Sequence, residues 1–319
     1  MNLVPTTLLL FLLACGFPGK QEPAAPGQLL KKSLKIDGTS RTYELYVPKR
    51  YDGKSALPLV IMLHGGGGTG KGTRETTRWD HKAEKEGFLA AFPNATRPDP
   101  DSPPKFGKNS PIWNDGSGRL HAGENGAPDV RFLEALIDQV SRSYQVDARR
   151  IYMTGFSNGA SMTFRAGMEL SDRLAAVAPV AGAFWIADPE IKSPLPLLYV
   201  TGTADTMNPL EGGMPKFARG KRGIGGKKKP PVIDSVRKWA RAIGCDGKPS
   251  DEAEKNGVRK SRWGGGRNGS EVLFYRVEGM GHYWPGGDSE LSAWMVGRDP
   301  GKLNGTDLAW EFFQSHPKK

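Results

Sequence analysis

The segment that most constrains the fold of this chain is a Gly-x-Ser-x-Gly pentapeptide centred on Ser157. An apolar run at residues 151–154 precedes it, and small residues suited to the first turn of a helix follow it. A serine between a strand and a helix lies on a tight turn, which exposes its hydroxyl at the carboxyl edge of a sheet. Gly155 and Gly159 allow the sharp turn and the close packing of the helix on the strand. A glycine-rich helix cap is the alternative, but this context favours a nucleophilic serine.

Predicted strands and helices alternate along most of the chain. Residues 57–64 form a continuous apolar run, which is typical of a central strand covered by helices on both faces. Before it, 33–36 and 42–47 are predicted to pair as a hairpin at the edge of the sheet. Further strands are predicted at 88–92, 174–180, 195–201 and 272–277, and helices at about 76–86, 129–144, 232–243 and 306–315. This alternation predicts an α/β fold with a mostly parallel central sheet flanked by helices and an N-terminal edge hairpin.

The N-terminus carries the features of an export signal. The apolar run at 8–14 is too short to span a bilayer and has the length of the hydrophobic part of a signal peptide. It ends in Leu-Leu-Ala-Cys-Gly, which resembles a bacterial lipobox and predicts a lipidated Cys15. Plain secretory cleavage is the alternative. We expect a signal peptide at 1–14, a tether at 15–30 and one domain at 31–319, in a protein lipid-anchored at the bacterial cell envelope or secreted.

Composition limits the classes of protein that the chain can belong to. Its 319 residues suffice for one large domain, and the mean hydropathy of −0.50 argues against an integral membrane protein. Part of the net charge of +11 is concentrated in residues 211–231, here called the basic insertion. No zinc-finger, RNA-recognition or helix-turn-helix pattern accompanies this charge, so we expect no nucleic-acid partner. The sequence assigns no role to the basic insertion and no oligomeric state to the protein.

A nucleophilic serine requires a general base, and chain order selects His282. In folds with this type of serine turn, the acid and then the histidine follow the serine along the chain. His316 lies in the C-terminal tail, whereas His282 lies on a glycine-rich loop after the predicted strand at 272–277. The other histidines precede Ser157 and are excluded by this order; they are His64, His81 and His121.

The acid that orients the base is predicted to be Asp205. It lies just beyond the carboxyl end of the predicted strand at 195–201 and between Ser157 and His282 in the chain. Aspartates in loops commonly stabilise turns, so the position of Asp205 carries this prediction rather than its residue type. Asp188, after the preceding strand, is the second candidate.

An oxyanion hole is predicted from two backbone N–H groups. One belongs to Asn158, directly after the serine, and the other lies in the glycine run that follows residues 57–64. We favour Gly66 for the second, with Gly65 and Gly67 as alternatives. A phosphate-binding loop is a poor interpretation of these glycines, because no Gly-Lys-Ser/Thr follows them. No cluster of residues has the spacing of metal ligands, so no metal site is predicted.

Three tryptophans are candidates for contact with substrate. Trp113, Trp185 and Trp284 all lie in loops after predicted strands, on the side of the sheet where the site is expected. Tryptophan rings stack on sugars and phenolic rings and bury a large area. Packing within the loops is the alternative for each of them.

These motifs together resemble one family of esterases. Four motifs are similar to those of the poly(3-hydroxybutyrate) depolymerases and feruloyl esterases, a family that includes acetylxylan esterases. They are Leu-His-Gly-Gly at 63–66, Gly-Phe-Ser-Asn-Gly-Ala at 155–160, Thr-Gly-x-x-Asp at 201–205 and Gly-His-x-Trp-Pro-Gly-Gly at 281–287. The resemblance covers about residues 33–316 and implies an α/β-hydrolase fold. It also implies secreted, cofactor-free hydrolysis of esters by a serine.

The sequence therefore predicts an exported serine carboxylic-ester hydrolase that forms an acyl-enzyme on Ser157. Phenolic or acetyl esters of plant polysaccharides and hydroxybutyrate oligomers are the predicted substrates, and the sequence does not choose between them. A serine peptidase of the same fold is the second hypothesis. A non-catalytic binding lipoprotein is the third, and the complete set of motifs argues against it. Contact with a membrane is expected only through a lipid anchor.

Overall fold

The computed structural model describes residues 27–105, 107–216, 227–289 and 291–319. The predicted signal peptide and lipidated Cys15 lie outside the described residues. The first strand begins at Gln28, so the last residues of the predicted tether at 15–30 belong to the sheet instead. Among the residues described, no helix combines the length and the apolarity needed to cross a membrane.

The described residues form a ten-stranded sheet with helices on both faces. Its strands are β1 Gln28–Ile36, β2 Thr39–Val47, β3 Leu57–Leu63, β4 Leu89–Pro93, β5 Val146–Phe156, β6 Ala176–Val180, β7 Leu197–Gly202, β8 Asp251–Lys255, β9 Val258–Trp263 and β10 Val272–Val277. The helices are α1 Gly70–Thr77, α2 Trp79–Glu86, α3 Leu120–Glu124, α4 Asp129–Ser143, α5 Asn158–Glu169, α6 Val232–Ala242, α7 Ala293–Val296 and α8 Gly305–Ser315.

The sheet is parallel in its centre and antiparallel at both edges. The strand order is β1-β2-β4-β3-β5-β6-β7-β10-β9-β8, and the six strands from β4 to β10 in this order are parallel. The predicted mostly parallel sheet and the N-terminal edge hairpin are therefore confirmed. The hairpin turns at Asp37 and Gly38, whose φ angles of 49° and 80° suit a two-residue turn.

A second hairpin, β8–β9, forms the opposite edge of the sheet, and the sequence analysis missed it. Every residue of β8 is exposed, and its sequence is Asp-Glu-Ala-Glu-Lys. A strand that buries no side chain has no alternation of apolar and polar residues by which it can be recognised. The pairing of this strand comes from backbone hydrogen bonds to β9.

The helix predicted at about 76–86 corresponds to α2, which ends at Glu86 as predicted, but its predicted start is wrong because a separate helix, α1, ends at Thr77. Helix α1 was not predicted; it begins after Thr69, whose hydroxyl accepts a hydrogen bond from the Gly72 N–H at 3.0 Å. It ends at Thr77, the next residue Arg78 has a left-handed backbone with a φ of 57°, and α2 follows at once. No glycine or proline marks this break. The Thr306 hydroxyl instead donates to the Thr77 carbonyl across the break, at 2.8 Å.

Two apolar cores lie on the two faces of the sheet. Helices α4, α5 and α6 cover one face, with Phe132, Phe164 and Trp239 fully buried against it. Helices α2 and α8 cover the other, where Trp79 and Phe313 are fully buried. Both faces are therefore occupied, and the carboxyl ends of the parallel strands remain as the edge at which loops can build a site.

A buried ion pair fixes the long loop that leads from β4 to this edge. The Arg41 guanidinium lies 2.6 Å from an oxygen of Asp129, and both side chains are almost completely buried. The other Asp129 oxygen accepts the N–H of Asn114 at 2.7 Å, and Arg165 donates to the Asn114 carbonyl at 2.8 Å. Strand β2 and helices α4 and α5 thus hold the loop at Asn114, one residue after Trp113.

Candidate active site

Ser157 occupies a strained turn between β5 and α5. Its φ of 56° and ψ of −116° lie outside the regions that a serine ordinarily adopts. Such a conformation persists only where the surrounding structure imposes it. Here the Ser157 N–H donates to the Val180 carbonyl at 2.9 Å, which ties the turn to the end of the neighbouring strand β6.

Two glycines allow the chain to pack around this turn. A Cβ atom added at Gly155 would meet the Gly159 carbonyl at well under 3.0 Å, and one added at Gly159 would meet the carbonyls of Leu63 and His64. Helix α5 therefore begins in direct contact with the ends of β5 and β3. The role predicted for the two glycines, close packing of helix on strand, agrees with these contacts.

The structure brings together the three side chains that chain order selected. The Nε2 atom of His282 lies 2.8 Å from the Ser157 hydroxyl oxygen, and its Nδ1 atom lies 2.8 Å from an oxygen of Asp205. A carboxylate only accepts hydrogen bonds, so Nδ1 carries the proton and Nε2 is free to accept from the serine. The Asp188 side chain, the second candidate for the acid, is exposed on the surface.

Asp205 is a buried and fully coordinated carboxylate. The oxygen that does not face His282 accepts the backbone N–H groups of Met207 and Asn208, at 2.8 and 2.7 Å. Burial by itself would raise the pKa of Asp205, but the charge and hydrogen bond of His282 and the bond from Asn208 outweigh it and lower the pKa below its ordinary value. The acid therefore stays ionised beside the imidazole.

The loop after β10 holds the His282 ring in position. The backbone N–H of His282 donates to the Val296 carbonyl at 2.5 Å, and that of Gly281 donates to the Arg298 carbonyl at 2.8 Å. The ring packs against Phe156, with 4.8 Å between ring centroids. Backbone hydrogen bonds to the segment 296–298 thus fix the loop, so the imidazole needs no rearrangement to reach Ser157.

The glycine run after β3 faces the beginning of helix α5. The N–H groups of Gly67 and Gly68 are already used, by the carbonyls of Pro111 and Gly65 at 2.8 and 3.0 Å. A Cβ atom added at Gly66 would lie 3.6 Å from the Asn158 Cβ, so these two residues are neighbours. This geometry favours Gly66 over Gly67 as the partner of Asn158 in the predicted oxyanion hole.

His64 secures the glycine run from within the core. Its Nε2 atom accepts the Ala95 N–H at 3.0 Å, so Nδ1 carries the proton and donates to the Gly65 carbonyl at 2.7 Å. Burial lowers the pKa of His64 to about 4. The ring is neutral at physiological pH and acts as a fixed hydrogen-bonding link between the glycine run and the segment after β4.

The Asn158 side chain has a second role that sequence reasoning missed. Its Oδ1 accepts the Trp113 N–H at 2.8 Å, and its Nδ2 donates to the Trp113 carbonyl and to Asp115, at 3.2 and 3.0 Å. These bonds attach the loop after β4 to the first residue of α5. The position of Asn158 directly after the serine predicts a role for its backbone only. Nothing in the sequence links its side chain to Trp113 and Asp115, which lie 45 and 43 positions earlier.

The three tryptophans predicted to contact substrate have different surroundings. The prediction is wrong for Trp113, which is fully buried and whose indole N–H donates to the His64 carbonyl at 3.0 Å. Trp284 is nearly buried and donates to the Thr306 hydroxyl at 3.0 Å, but part of it lines a cavity beside the site. Trp185 is half-buried and packs under the guanidinium of Arg119, 4.6 Å from the ring centroid.

Two cavities of about 130 Å³ each meet at the candidate site. Both are lined by Gly65, Gly66, Phe156, His282 and Leu291. The first, here called the threonine cavity, extends towards residues that include Thr73, Thr76 and Trp284. The second, here called the serine cavity, contains residues that include Ser157, Arg119 and Lys229. A group bound at Ser157 therefore has space on two sides.

The remaining histidines have other partners. His81 lies 3.1 Å from Asp80, His121 lies 3.0 Å from the Thr96 carbonyl, and His316 lies 3.2 Å from Glu271. Within the described ranges, no group of three or more histidine, cysteine or acidic side chains could hold a metal ion.

Comparison with known proteins identifies the family. Residues 51–213 match the model of the phospholipase/carboxylesterase family. The chain belongs to this family. It is 27% identical to an inferred esterase, NocK, of Nocardia uniformis subsp. tsuyamanensis, over 92% of this chain and 85% of NocK. It is also 27% identical to feruloyl esterase B of Piromyces equi, over 74% of this chain and 41% of that protein.

Solved structures confirm the predicted α/β-hydrolase fold. The acetyl xylan esterase of Aspergillus awamori superposes with a TM-score of 0.61 at 16% identity, over 90% of this chain and 99% of that one. A ferulic acid esterase of Anaeromyces mucronatus superposes with a TM-score of 0.51 at 18% identity, over 83% of this chain and 88% of that one. Because its family and its relatives are esterases, the chain is a carboxylic-ester hydrolase, and the predicted enzyme class is confirmed. The resemblance to feruloyl and acetylxylan esterases is also confirmed.

The neutral, buried state of His64 predicts a loss of stability in acid. The unfolded chain takes up a proton on this residue near its ordinary pKa of 6.5, whereas the folded chain does so only near pH 4. Protons therefore favour the unfolded chain between these two pH values. Through His64 alone, the free energy of unfolding of the protein falls by about 2–3 kcal/mol between pH 7 and pH 4.5. Urea unfolding at both pH values should show a smaller fall in His64→Asn than in the unmodified protein.

The matched control is His81→Asn, because the His81 side chain is 79% exposed. This variant should lose as much stability in acid as the unmodified protein. An equal loss in His64→Asn would contradict the assignment of a neutral His64.

Proposed function

We propose that the protein hydrolyses esters through an acyl-enzyme on Ser157, with His282 as general base and Asp205 as the acid that orients it. The observation that carries the proposal is the continuous line of hydrogen bonds from the Asp205 carboxylate through the imidazole to the serine hydroxyl, 2.8 Å at each step. This arrangement of nucleophile, base and orienting acid is the one that acyl transfer to a serine requires.

The reaction proceeds in two halves. As the Ser157 Oγ attacks the ester carbonyl carbon, its proton passes to His282 Nε2 and the carbonyl oxygen becomes an oxyanion. The N–H groups of Asn158 and Gly66 stabilise this charge. The intermediate collapses to an acyl-enzyme, and the alcohol leaves with the proton from His282. Water then attacks the acyl carbon in the same way, which releases the acid and restores the serine.

Asp205 contributes through the orientation and charge of the imidazole. In the neutral imidazole, its bond to Nδ1–H selects the tautomer in which Nε2 can accept the serine proton, and its negative charge stabilises the imidazolium that forms during attack. Two backbone N–H groups hold the carboxylate from the other side, so it cannot turn away from His282.

We propose phenolic or acetyl esters of polysaccharides, or hydroxybutyrate oligomers, as the substrate class. Relatives named feruloyl esterase and bifunctional acetylxylan esterase/xylanase support the first two. The two cavities that meet at the site support an ester that carries a sizeable group on each side of the scissile bond. Comparing methyl ferulate, acetylated xylan and hydroxybutyrate oligomers identifies the ester that is turned over fastest.

Substitutions at the three residues test the mechanism on that ester. Ser157→Ala and His282→Ala should each lower kcat by about 10⁴–10⁶-fold, and the double variant should lose little more, because the two residues act as one unit. Asp205→Asn should lower kcat by about 10⁴-fold, since the amide favours the wrong imidazole tautomer. Steady-state kinetics measure these losses, with folding checked by circular dichroism.

Asp188→Ala and His316→Ala are the matched controls, and both should keep nearly the unmodified rate. Retained activity in folded Ser157→Ala or His282→Ala would refute the mechanism. A normal rate in Asp205→Asn together with a loss in Asp188→Ala would move the acid to Asp188.

We also propose that the protein is exported and carries lipid on Cys15. The apolar run at 8–14 and the Leu-Leu-Ala-Cys-Gly that ends it support this address. Mass spectrometry of the protein from its native cell should find an N-terminus at Cys15 with added acyl mass. An N-terminus elsewhere, or a Cys15 without acyl mass, would refute lipid attachment.

A further inference from the structure

A lysine of the basic insertion is buried beside the candidate nucleophile. Lys229 is only 8% exposed, and it lines the serine cavity together with Ser157 and His282. Its backbone is fixed by two hydrogen bonds with Gly213, at 2.9 and 3.0 Å, at the base of the insertion. A buried ammonium group is costly unless it is paired, so its presence at this position requires an explanation.

The surroundings of Lys229 satisfy only part of its bonding capacity. Its ammonium group donates to the Oδ1 atom of Asn208 at 3.0 Å, which is its one acceptor among the described residues. An ammonium group has three donors, and a neutral amide does not compensate its charge. Burial, followed by the nearby charge of Arg119, lowers the pKa of Lys229 to about 8 against the smaller opposing effects of the Asp205 and Asp115 charges, so most molecules still carry the positive charge at neutral pH.

A second cation, Arg119, lines the same cavity and is held rigidly. Its guanidinium lies 3.1 Å from Asp115, donates to the Ser117 hydroxyl at 2.8 Å and covers the Trp185 ring. Asp115 also accepts from Asn158 and from the Ser117 N–H, so its oxygens are already engaged.

The distribution of charge around the site is therefore unequal. In the described part of the chain, the serine cavity is lined by Arg119 and Lys229 and by no aspartate or glutamate. Asp115 and Asp205 lie behind this wall, each nearly buried. The threonine cavity has the carboxylate of Asp288 in its lining and no lysine or arginine among the residues described.

We propose that Lys229 and Arg119 form an anion-binding subsite, so that the enzyme prefers esters whose acyl or alcohol part carries a carboxylate. The proposal rests on the proposed function, because the carboxylate must bind while the ester bond lies at Ser157. The ammonium and guanidinium groups supply charge-assisted hydrogen bonds to the carboxylate. The terminal acid of a hydroxyacid oligomer and the acid of a uronate sugar share this chemistry.

Two pairs of esters test the subsite, and each pair replaces a carboxylate by the neutral amide of the same shape. Monoethyl succinate and ethyl succinamate place the difference in the acyl part, whereas 3-acetoxybutyrate and 3-acetoxybutanamide place it in the alcohol part. We expect a higher kcat/KM for the anionic member of at least one pair. The pair that responds identifies the side of the ester that carries the carboxylate.

The preference is measured as kcat/KM for the anionic ester divided by kcat/KM for the neutral ester of the same pair. Lys229→Met should lower this ratio by about 10–100-fold, because a hydrogen bond between charged groups is lost. Arg119→Met provides a second variant on a less buried residue and should lower the same ratio. Lys228→Met, at the exposed neighbouring position, is the control and should leave the ratio unchanged. A ratio unchanged in both Lys229→Met and Arg119→Met, or no anionic preference in either pair, would refute the subsite.

Binding to Ser157→Ala separates this proposal from the proposed function. Isothermal titration calorimetry of the four esters measures recognition without turnover, in the Ser157→Ala background with and without Lys229→Met. Tighter binding of an anionic ester, lost with Lys229→Met, supports the subsite even if the unmodified protein hydrolyses none of the four. Equal binding of anionic and neutral esters refutes the subsite, even if the unmodified protein hydrolyses both members of a pair.

Discussion

The arrangement of the site depends on the close contact between helix α5 and the ends of strands β3 and β5. Only glycine fits at 155 and 159, and the contact forces Ser157 into a positive φ that a serine rarely adopts. The turn projects the hydroxyl from the carboxyl edge of the sheet and brings the Asn158 backbone beside Gly66. Backbone packing thus positions the proposed nucleophile and the proposed oxyanion donors before any substrate binds.

Buried charges organise what surrounds this turn. Arg41 and Asp129 fix the loop after β4, and two backbone N–H groups with His282 hold the Asp205 carboxylate. Each of these carboxylates accepts hydrogen bonds on both of its oxygens. Lys229 differs, because a neutral amide is its one acceptor in the described chain, and it faces the space that a substrate would enter. The contrast between carboxylates hydrogen-bonded on both oxygens and a cation with one neutral acceptor underlies the proposed preference for carboxylate-bearing esters.

The sequence could predict the elements whose positions follow from chain order and strand ends. Ser157, Asp205 and His282 each follow a buried parallel strand, and such strands end at one edge of the sheet. Features that depend on tertiary contact could not be predicted. Strand β8 buries no side chain, and the indole of Trp113 is buried in a loop that folds back over His64. Lys229 belongs to a run of lysines that is typical of a solvated loop, and its inward position comes with tertiary contacts, the backbone pairing with Gly213 and the bond to Asn208.

The central claim is that Ser157 is a nucleophile activated by His282, and covalent labelling tests it most directly. A fluorophosphonate reacts with an activated serine at its phosphorus and loses fluoride, which leaves one phosphonyl group on the oxygen. Peptide mapping by mass spectrometry should find a single such group, on Ser157, and His282→Ala should react far more slowly. A folded protein that stays unlabelled, or that is labelled only at another residue, would contradict the account.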